Sequence, residues 1–191
     1  MRENYHTNLC GIDEAGRGPF AGPMVVAGVV LTNDVKELDD SKKLTEKKRE
    51  KLFDIIKENS IYHIVFTSAE QIDELGLSIC LQNSIKEIMQ NIQAPQYLMD
   101  GNTSFGIENL EFLIKADATI QEVSAASILA KVSRDRYMCD IAKDYPEYSF
   151  EKHKGYGTKV HTDAIIEHGY CKLHRRTFKI KKLEGMEIPL S

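Results

Sequence analysis

The stretch that most constrains this chain is Gly11-Ile-Asp-Glu-Ala-Gly-Arg-Gly-Pro19, where an apolar run delivers two adjacent carboxylates into a glycine-flanked arginine. Leu9 to Asp13 reads as a strand. Ala15 to Pro19 continues it poorly, because Gly16 and Gly18 tolerate backbone angles that other residues avoid and Pro19 has no N–H to donate. Side chains alternate across a strand, so Asp13 and Glu14 converge only if a bend or turn aims them. Gathered carboxylates usually serve a divalent cation. The plainer reading is a solvated Asp-Glu turn, and this stretch alone leaves both open.

A chain of 191 residues suits one domain, 1–191, with a helical, basic part from about 145 to 191. Cys10, Cys80, Cys139 and Cys171 are scattered without C-x-x-C spacing, which argues against zinc or a disulfide framework and for a reducing compartment. The first residues, Met1 to His6, carry no apolar leader, and no run reaches the length of a membrane span. A cytoplasmic protein with no membrane partner is therefore expected. The net charge of −4 conceals a basic segment: between Glu151 and Lys182, nine lysines and arginines face three acids. Such a segment suits a phosphate-backbone partner or an ordinary solvated face.

The remaining chain alternates between strand and helix signals. Met24 to Leu31 is β-branched and apolar enough for a strand buried on both faces. Thr45 looks like the N-cap of a helix to about Asn59, Ile61 to Thr67 reads as a strand, and Ser68 with Gln71 forms a capping-box signature. Apolar residues recur at helical spacing from Leu81 to Ile92, a short strand Tyr97-Leu-Met99 follows, and Glu111 to Lys115 suggests another. A long helix is expected from Ser124 to about Lys143, and a further one from Thr158 to a stop at Gly169. The pattern predicts one α/β sheet covered by helices. Asp13, Asp100 and Asp117 each follow an apolar strand, so with Glu14 they could meet around hard, oxygen-seeking cations if those strands are neighbours. Each, taken singly, is equally a turn residue.

These residues resemble those of the bacterial ribonuclease HII family. The likeness begins with Gly11 to Pro19 and continues through Asp40-Ser-Lys-Lys-Leu44, Leu98-Met-Asp-Gly-Asn102 and Val123 to Asp135. It closes with His153-Lys-Gly-Tyr-Gly-Thr158, His161 and His174-Arg-Arg-Thr-Phe178. The resemblance implies a ribonuclease H-like α/β fold: a mixed five-stranded sheet flanked by helices, with a helical C-terminal part. It implies an endonuclease that cuts the RNA strand of RNA–DNA hybrids and nicks 5′ of single ribonucleotides in duplex DNA, leaving 5′-phosphate and 3′-hydroxyl ends. Asp13, Glu14, Asp100 and Asp117 match the family's catalytic, metal-binding acids, which take Mg²⁺ or Mn²⁺, two ions when substrate is bound.

Gly16, Arg17 and Gly18 match the stretch that reads the 2′-hydroxyl through backbone groups. Lys42 matches a lysine near the scissile phosphate, and Tyr156 a tyrosine that stacks on the following sugar. A monomer is expected, and a sliding clamp is left open as a partner. His153, His161 and His174 are expected to be structural or phosphate-facing; Arg134 and Asp135 are expected to pair locally or to support the site. The chain departs from the family at Gly169-Tyr-Cys-Lys-Leu173, where Gly-Pro-Ser-Pro or similar is usual. Two rival readings stand beside the first. A resolvase-like nuclease on the same fold would need no 2′-hydroxyl, and a non-catalytic nucleic-acid-binding subunit would use the basic segment alone.

Overall fold

Met-Val-Val-Ala-Gly-Val-Val-Leu forms β2 (Met24–Leu31), all but one of its residues buried, as its β-branched composition requires of a central strand. The structure is a computed structural model that describes residues 9–36, 38, 44–185 and 188–189. β1 (Leu9–Ala15) runs antiparallel to β2, with Gly11 opposite Val29 and Ala15 opposite Val25. On its other side β1 pairs in parallel with β4 (Gln96–Asp100), which pairs in parallel with β5 (Leu110–Leu113). With β3 (Ser60–Thr67) beside β2, the order is β3-β2-β1-β4-β5, the mixed five-stranded sheet that was expected.

The helices are α1 (Glu46–Glu58), α2 (Ala69–Leu75), α3 (Leu77–Asn91), α4 (Gln121–Ile141), α5 (Phe150–His153) and α6 (Lys159–His168). Their starts follow local chemistry. Thr45 accepts the Lys48 N–H at 3.3 Å, Thr158 accepts the His161 N–H at 3.3 Å, and Ser68 and Gln71 close a reciprocal capping box. Three boundaries differ from expectation. β1 continues without a turn through Glu14 to Ala15. β5 ends at Leu113, before Lys115, whose left-handed φ of 62° turns the chain. α4 begins three residues before Ser124, whose N–H donates to Ile120 O at 2.9 Å, so this serine lies inside the helix.

The chain divides into two compact units. Of the described residues, the first takes those within 9–15, 25–66 and 81–132, and the second those within 16–24, 67–80 and 133–189. In the first, β2 packs with Leu52, Phe53 and Ile56 of α1 and with Ala125, Ala126, Leu129 and Ala130 of α4. Close approach is built in: a Cβ on Gly11 would lie 2.3 Å from the backbone of Glu122 and Val123, so only glycine lets α4 rest on β1. In the second, Met138, Tyr148, Phe150, Ile165, Ile180 and Leu183 form a separate core around Ala21.

Candidate active site

Four carboxylates lie in the first unit. Asp13, opposite Ala27 on β1, is buried, only 8% exposed. Its Oδ1 accepts the Glu14 N–H at 2.8 Å, and Ser127 hydrogen-bonds the same carboxylate. Glu14, next along β1, is half-buried, so strand alternation separates the two side chains in burial without any bend. Asp100 ends β4. Because Ile12 of β1 pairs with Met99 of β4, Asp13 and Asp100 each follow a paired residue on adjacent parallel strands. The Asp100 Oδ1 accepts the Ala116 N–H at 2.8 Å, which fixes the 3₁₀ turn Ala116–Ala118 that carries Asp117. Asp117 is half-buried and opens on a cleft of about 270 Å³ shared with Leu38, Gln121 and Ser124.

The acids act on one another. Burial first, then the charges of Glu14 and Asp100, push the Asp13 carboxyl up to about 8 from its ordinary 3.8. Among the described residues, no three His, Cys, Asp or Glu side chains already stand as a group that could hold a metal ion. The structure thus brings Asp13, Glu14 and Asp100 into a common field and ties Asp117 to Asp100 through one turn. The donor set is entirely oxygen, which suits hard divalent cations, and added positive charge is what the raised Asp13 carboxyl lacks.

The second unit contains Gly16, Arg17 and Gly18. Gly16 sits at φ +91°, and a Cβ there would lie 2.2 Å from Arg134 Nε. Arg17 and Gly18 are exposed. Two buried guanidiniums organise this loop. Arg175 Nη2 donates to Gly16 O at 2.6 Å, its Nη1 to Arg17 O at 3.0 Å, and its Nε and Nη2 to Gly22 O at 3.1 and 2.9 Å. Arg134 Nε donates to Pro23 O at 2.8 Å and its Nη2 to Ala21 O at 3.1 Å. Arg134 was expected to pair with a neighbour on its helix or to support the site; it supports the loop through backbone carbonyls. Burial lowers Arg175 to about 10, which leaves it charged at neutral pH.

Tyr156 is 43% exposed, with the Arg134 guanidinium carbon 5.6 Å from its ring centroid. Its flanking glycines are there for packing rather than for exposure. A Cβ on Gly155 would strike Ala21 O, and one on Gly157 the Phe20 ring, each at 2.2 Å.

The histidines hold the Tyr156 backbone. The Cys171 N–H donates to His174 Nδ1 at 2.9 Å, so the His174 proton resides on Nε2. That proton faces His161 Nε2 at 3.1 Å, and His161 Nδ1–H in turn donates to Tyr156 O at 3.0 Å. Burial lowers His161 to about 4 and His174 to about 3, so both are neutral at physiological pH. Of the two expectations for these histidines, structural or phosphate-facing, the buried relay answers to the first. His153 Nε2 bonds Tyr148 O at 2.9 Å, and its Nδ1 accepts the Gly155 N–H at 3.2 Å. Lys42, with most of the Asp40–Leu44 block, lies outside the described residues.

Sequence reasoning missed Arg175, Asp73 and Ser127. Arg175 was counted among nine basic residues of a charged segment, although its side chain is buried. Asp73 accepts the backbone N–H groups of Arg176 and Thr177 and the Thr177 hydroxyl, at 2.7, 3.0 and 2.6 Å. No helical or strand spacing links these partners, so only the folded chain reveals them.

Comparison with known proteins agrees with this architecture. A ribonuclease HII family model matches residues 10–181. Ribonuclease HII of Aliarcobacter butzleri is 63% identical over 183 residues, covering 95% of each chain. Among solved structures, ribonuclease HII from the PCNA complex of Archaeoglobus fulgidus superposes with a TM-score of 0.77 at 25% identity, covering 91% of this chain and 96% of that one. Ribonuclease H2 of Pyrococcus horikoshii gives 0.74 at 28% identity, covering 91% and 94%. The sheet order and these likenesses define a nuclease of the ribonuclease H-like fold class, a phosphodiester hydrolase. Within that class, the chain belongs to the ribonuclease HII family of RNA-strand endonucleases.

Proposed function

We propose that this protein hydrolyses the RNA strand of RNA–DNA hybrids and nicks 5′ of single ribonucleotides embedded in duplex DNA, leaving 5′-phosphate and 3′-hydroxyl ends. Asp13, Glu14, Asp100 and Asp117 would hold Mg²⁺ or Mn²⁺. The observation that carries this reading is the Asp13 carboxyl, pushed to about 8 by burial and by its acidic neighbours, a cost that serves the fold in no evident way. Bound divalent cations activate a water and compensate charge at a phosphodiester. The chain's own part is positional. The Glu14 N–H and Ser127 orient Asp13, and the Ala116 N–H orients Asp100.

Gly16, Arg17 and Gly18 would read the 2′-hydroxyl, the group that distinguishes RNA from DNA. Exposed Tyr156, backed by Arg134, would stack on the following sugar, and Lys42 would meet the scissile phosphate. The Archaeoglobus fulgidus relative is solved with PCNA, which supports a sliding clamp as a partner here. A monomer in the cytoplasm completes the proposal. All four cysteines are free thiols, which fits a reducing compartment, and no described helix is long and apolar enough to cross a membrane.

The test is cleavage of a DNA duplex carrying one ribonucleotide, with Mg²⁺ or Mn²⁺, against all-DNA and EDTA controls. A nick 5′ of the ribonucleotide, absent from both controls, is the expected result. Equal cutting of the all-DNA duplex would favour a resolvase-like nuclease instead, and tight binding without any cutting a non-catalytic subunit.

A further inference from the structure

The block His174-Arg-Arg-Thr-Phe178 has no role in the chemistry above, yet its Arg175 grips the recognition loop. We infer that Arg175 is a positioning residue for ribonucleotide discrimination: its guanidinium draws the carbonyls of Gly16 and Arg17 inward and thereby turns the amides of Arg17 and Gly18 outward, as donors to a 2′-hydroxyl oxygen. This rests on the proposed reading of Gly16-Arg17-Gly18 as the 2′-hydroxyl reader.

The geometry is that of a trans peptide, in which a carbonyl and the next residue's N–H point to opposite sides of one plane. The described chain has no cis bonds. Arg175 Nη2 holds Gly16 O at 2.6 Å and Nη1 holds Arg17 O at 3.0 Å, so the N–H groups of the following residues, Arg17 and Gly18, point away from the guanidinium. The third carbonyl, Gly22 O, anchors the fork to the far end of the loop. A lysine ammonium has three donors but no planar fork, and cannot reproduce this span.

Gly18 gives an independent sign. It is exposed, its φ lies outside the left-handed region, and a Cβ built there meets nothing within 4 Å. The fold itself therefore has no need of glycine at this position. Close approach of a sugar to the outward amide does need one.

The test compares wild type, Arg175→Lys and Gly18→Ala by binding, in EDTA, to a duplex carrying one ribonucleotide and to the same duplex with deoxyribose at that position. Arg175→Lys keeps the backbone bonds from the Arg175 N–H to Phe20 O and from the Gly22 N–H to Leu173 O, both 2.8 Å, so the loop stays attached. Its preference for the ribonucleotide should fall about tenfold, the loss of one or two oriented hydrogen bonds, with all-DNA affinity nearly unchanged and the melting temperature lowered, because the carbonyls of Gly16, Arg17 and Gly22 lose part of their donor set. Undiminished preference, or equal weakening on both duplexes, would overturn the inference. Gly18→Ala should fold normally and lose the same preference; its retention would also overturn the inference. If Arg175→Lys does not fold, amide exchange in the wild type decides. The Gly18 N–H should slow with the ribonucleotide duplex and not with the DNA one, and equal slowing refutes the outward-amide geometry. A wild type without any ribonucleotide preference would instead bring down the underlying reading.

Discussion

Replacing Asp13 with asparagine should make the metal-free protein more stable while abolishing cleavage. The carboxyl is raised from 3.8 to about 8, chiefly by burial and then by Glu14 and Asp100. A carboxyl with a raised folded-state pKa contributes its full stability below 3.8 and loses it as pH climbs toward 8. At about 1.4 kcal/mol per pH unit, the metal-free wild type forfeits roughly 5 kcal/mol by pH 7.5. Asparagine does not titrate, and its carbonyl oxygen can still accept the Glu14 N–H that bonds Oδ1 at 2.8 Å. In EDTA, the melting temperature of Asp13→Asn should match wild type near pH 4 and exceed it by about 10–20 °C at pH 7.5, given ~2–4 °C per kcal/mol in a protein of this size. Added Mg²⁺ should raise wild type and narrow the gap, because binding to the folded state alone stabilises it. Differential scanning calorimetry at pH 4.5, 6.0 and 7.5 measures this directly. A gap that does not change with pH, or a variant less stable at pH 7.5, would refute the electrostatic origin. Near-normal cleavage by the variant would remove Asp13 from the catalytic set.

Three further outcomes follow from other contacts. In the Asp13→Asn background, the melting temperature should fall as pH drops from 6.5 to 5. The depressed His161 and His174, stable above 6.5 and lost toward 4 and 3, should each forfeit about 2 kcal/mol by pH 5; a flat profile would deny their neutral, buried pairing. Gly11→Ala forces a methyl to 2.3 Å from helix backbone and should cost about 3 kcal/mol in urea unfolding, whereas a loss below about 1 would mean α4 shifts freely. Asp73→Ala removes three hydrogen bonds to Arg176 and Thr177 and should cost about 1–2 kcal/mol, with Asp73→Asn restoring most of it.

Features fixed by adjacent residues were legible in the sequence. Thr45, Ser68 and Thr158 cap helices because their hydroxyls meet amides three positions on, and β2 announces itself by composition. Acids at strand ends could likewise be read, since an apolar run ending in Asp13 or Asp100 places them. What failed was local inference where distant contacts decide. Ser124 resembles a cap but lies within α4, because the turn held by Asp100 starts the helix earlier. β1 was expected to end at Asp13, and it continues through Glu14 to Ala15, leaving Asp13 buried and Glu14 half-buried. Arg175 looked like surface charge because nothing near it in sequence reveals carbonyls more than 150 positions away.

The loop between Gly16 and Pro23 acts as a host for two cationic guests, its carbonyls solvating guanidiniums much as a crown ether solvates a metal. Dipoles around a buried ion are little screened by salt, whereas exposed lysines facing phosphates are strongly screened. Grip and choice should therefore come apart: rising ionic strength would loosen this enzyme's hold on every duplex while leaving its preference among them intact.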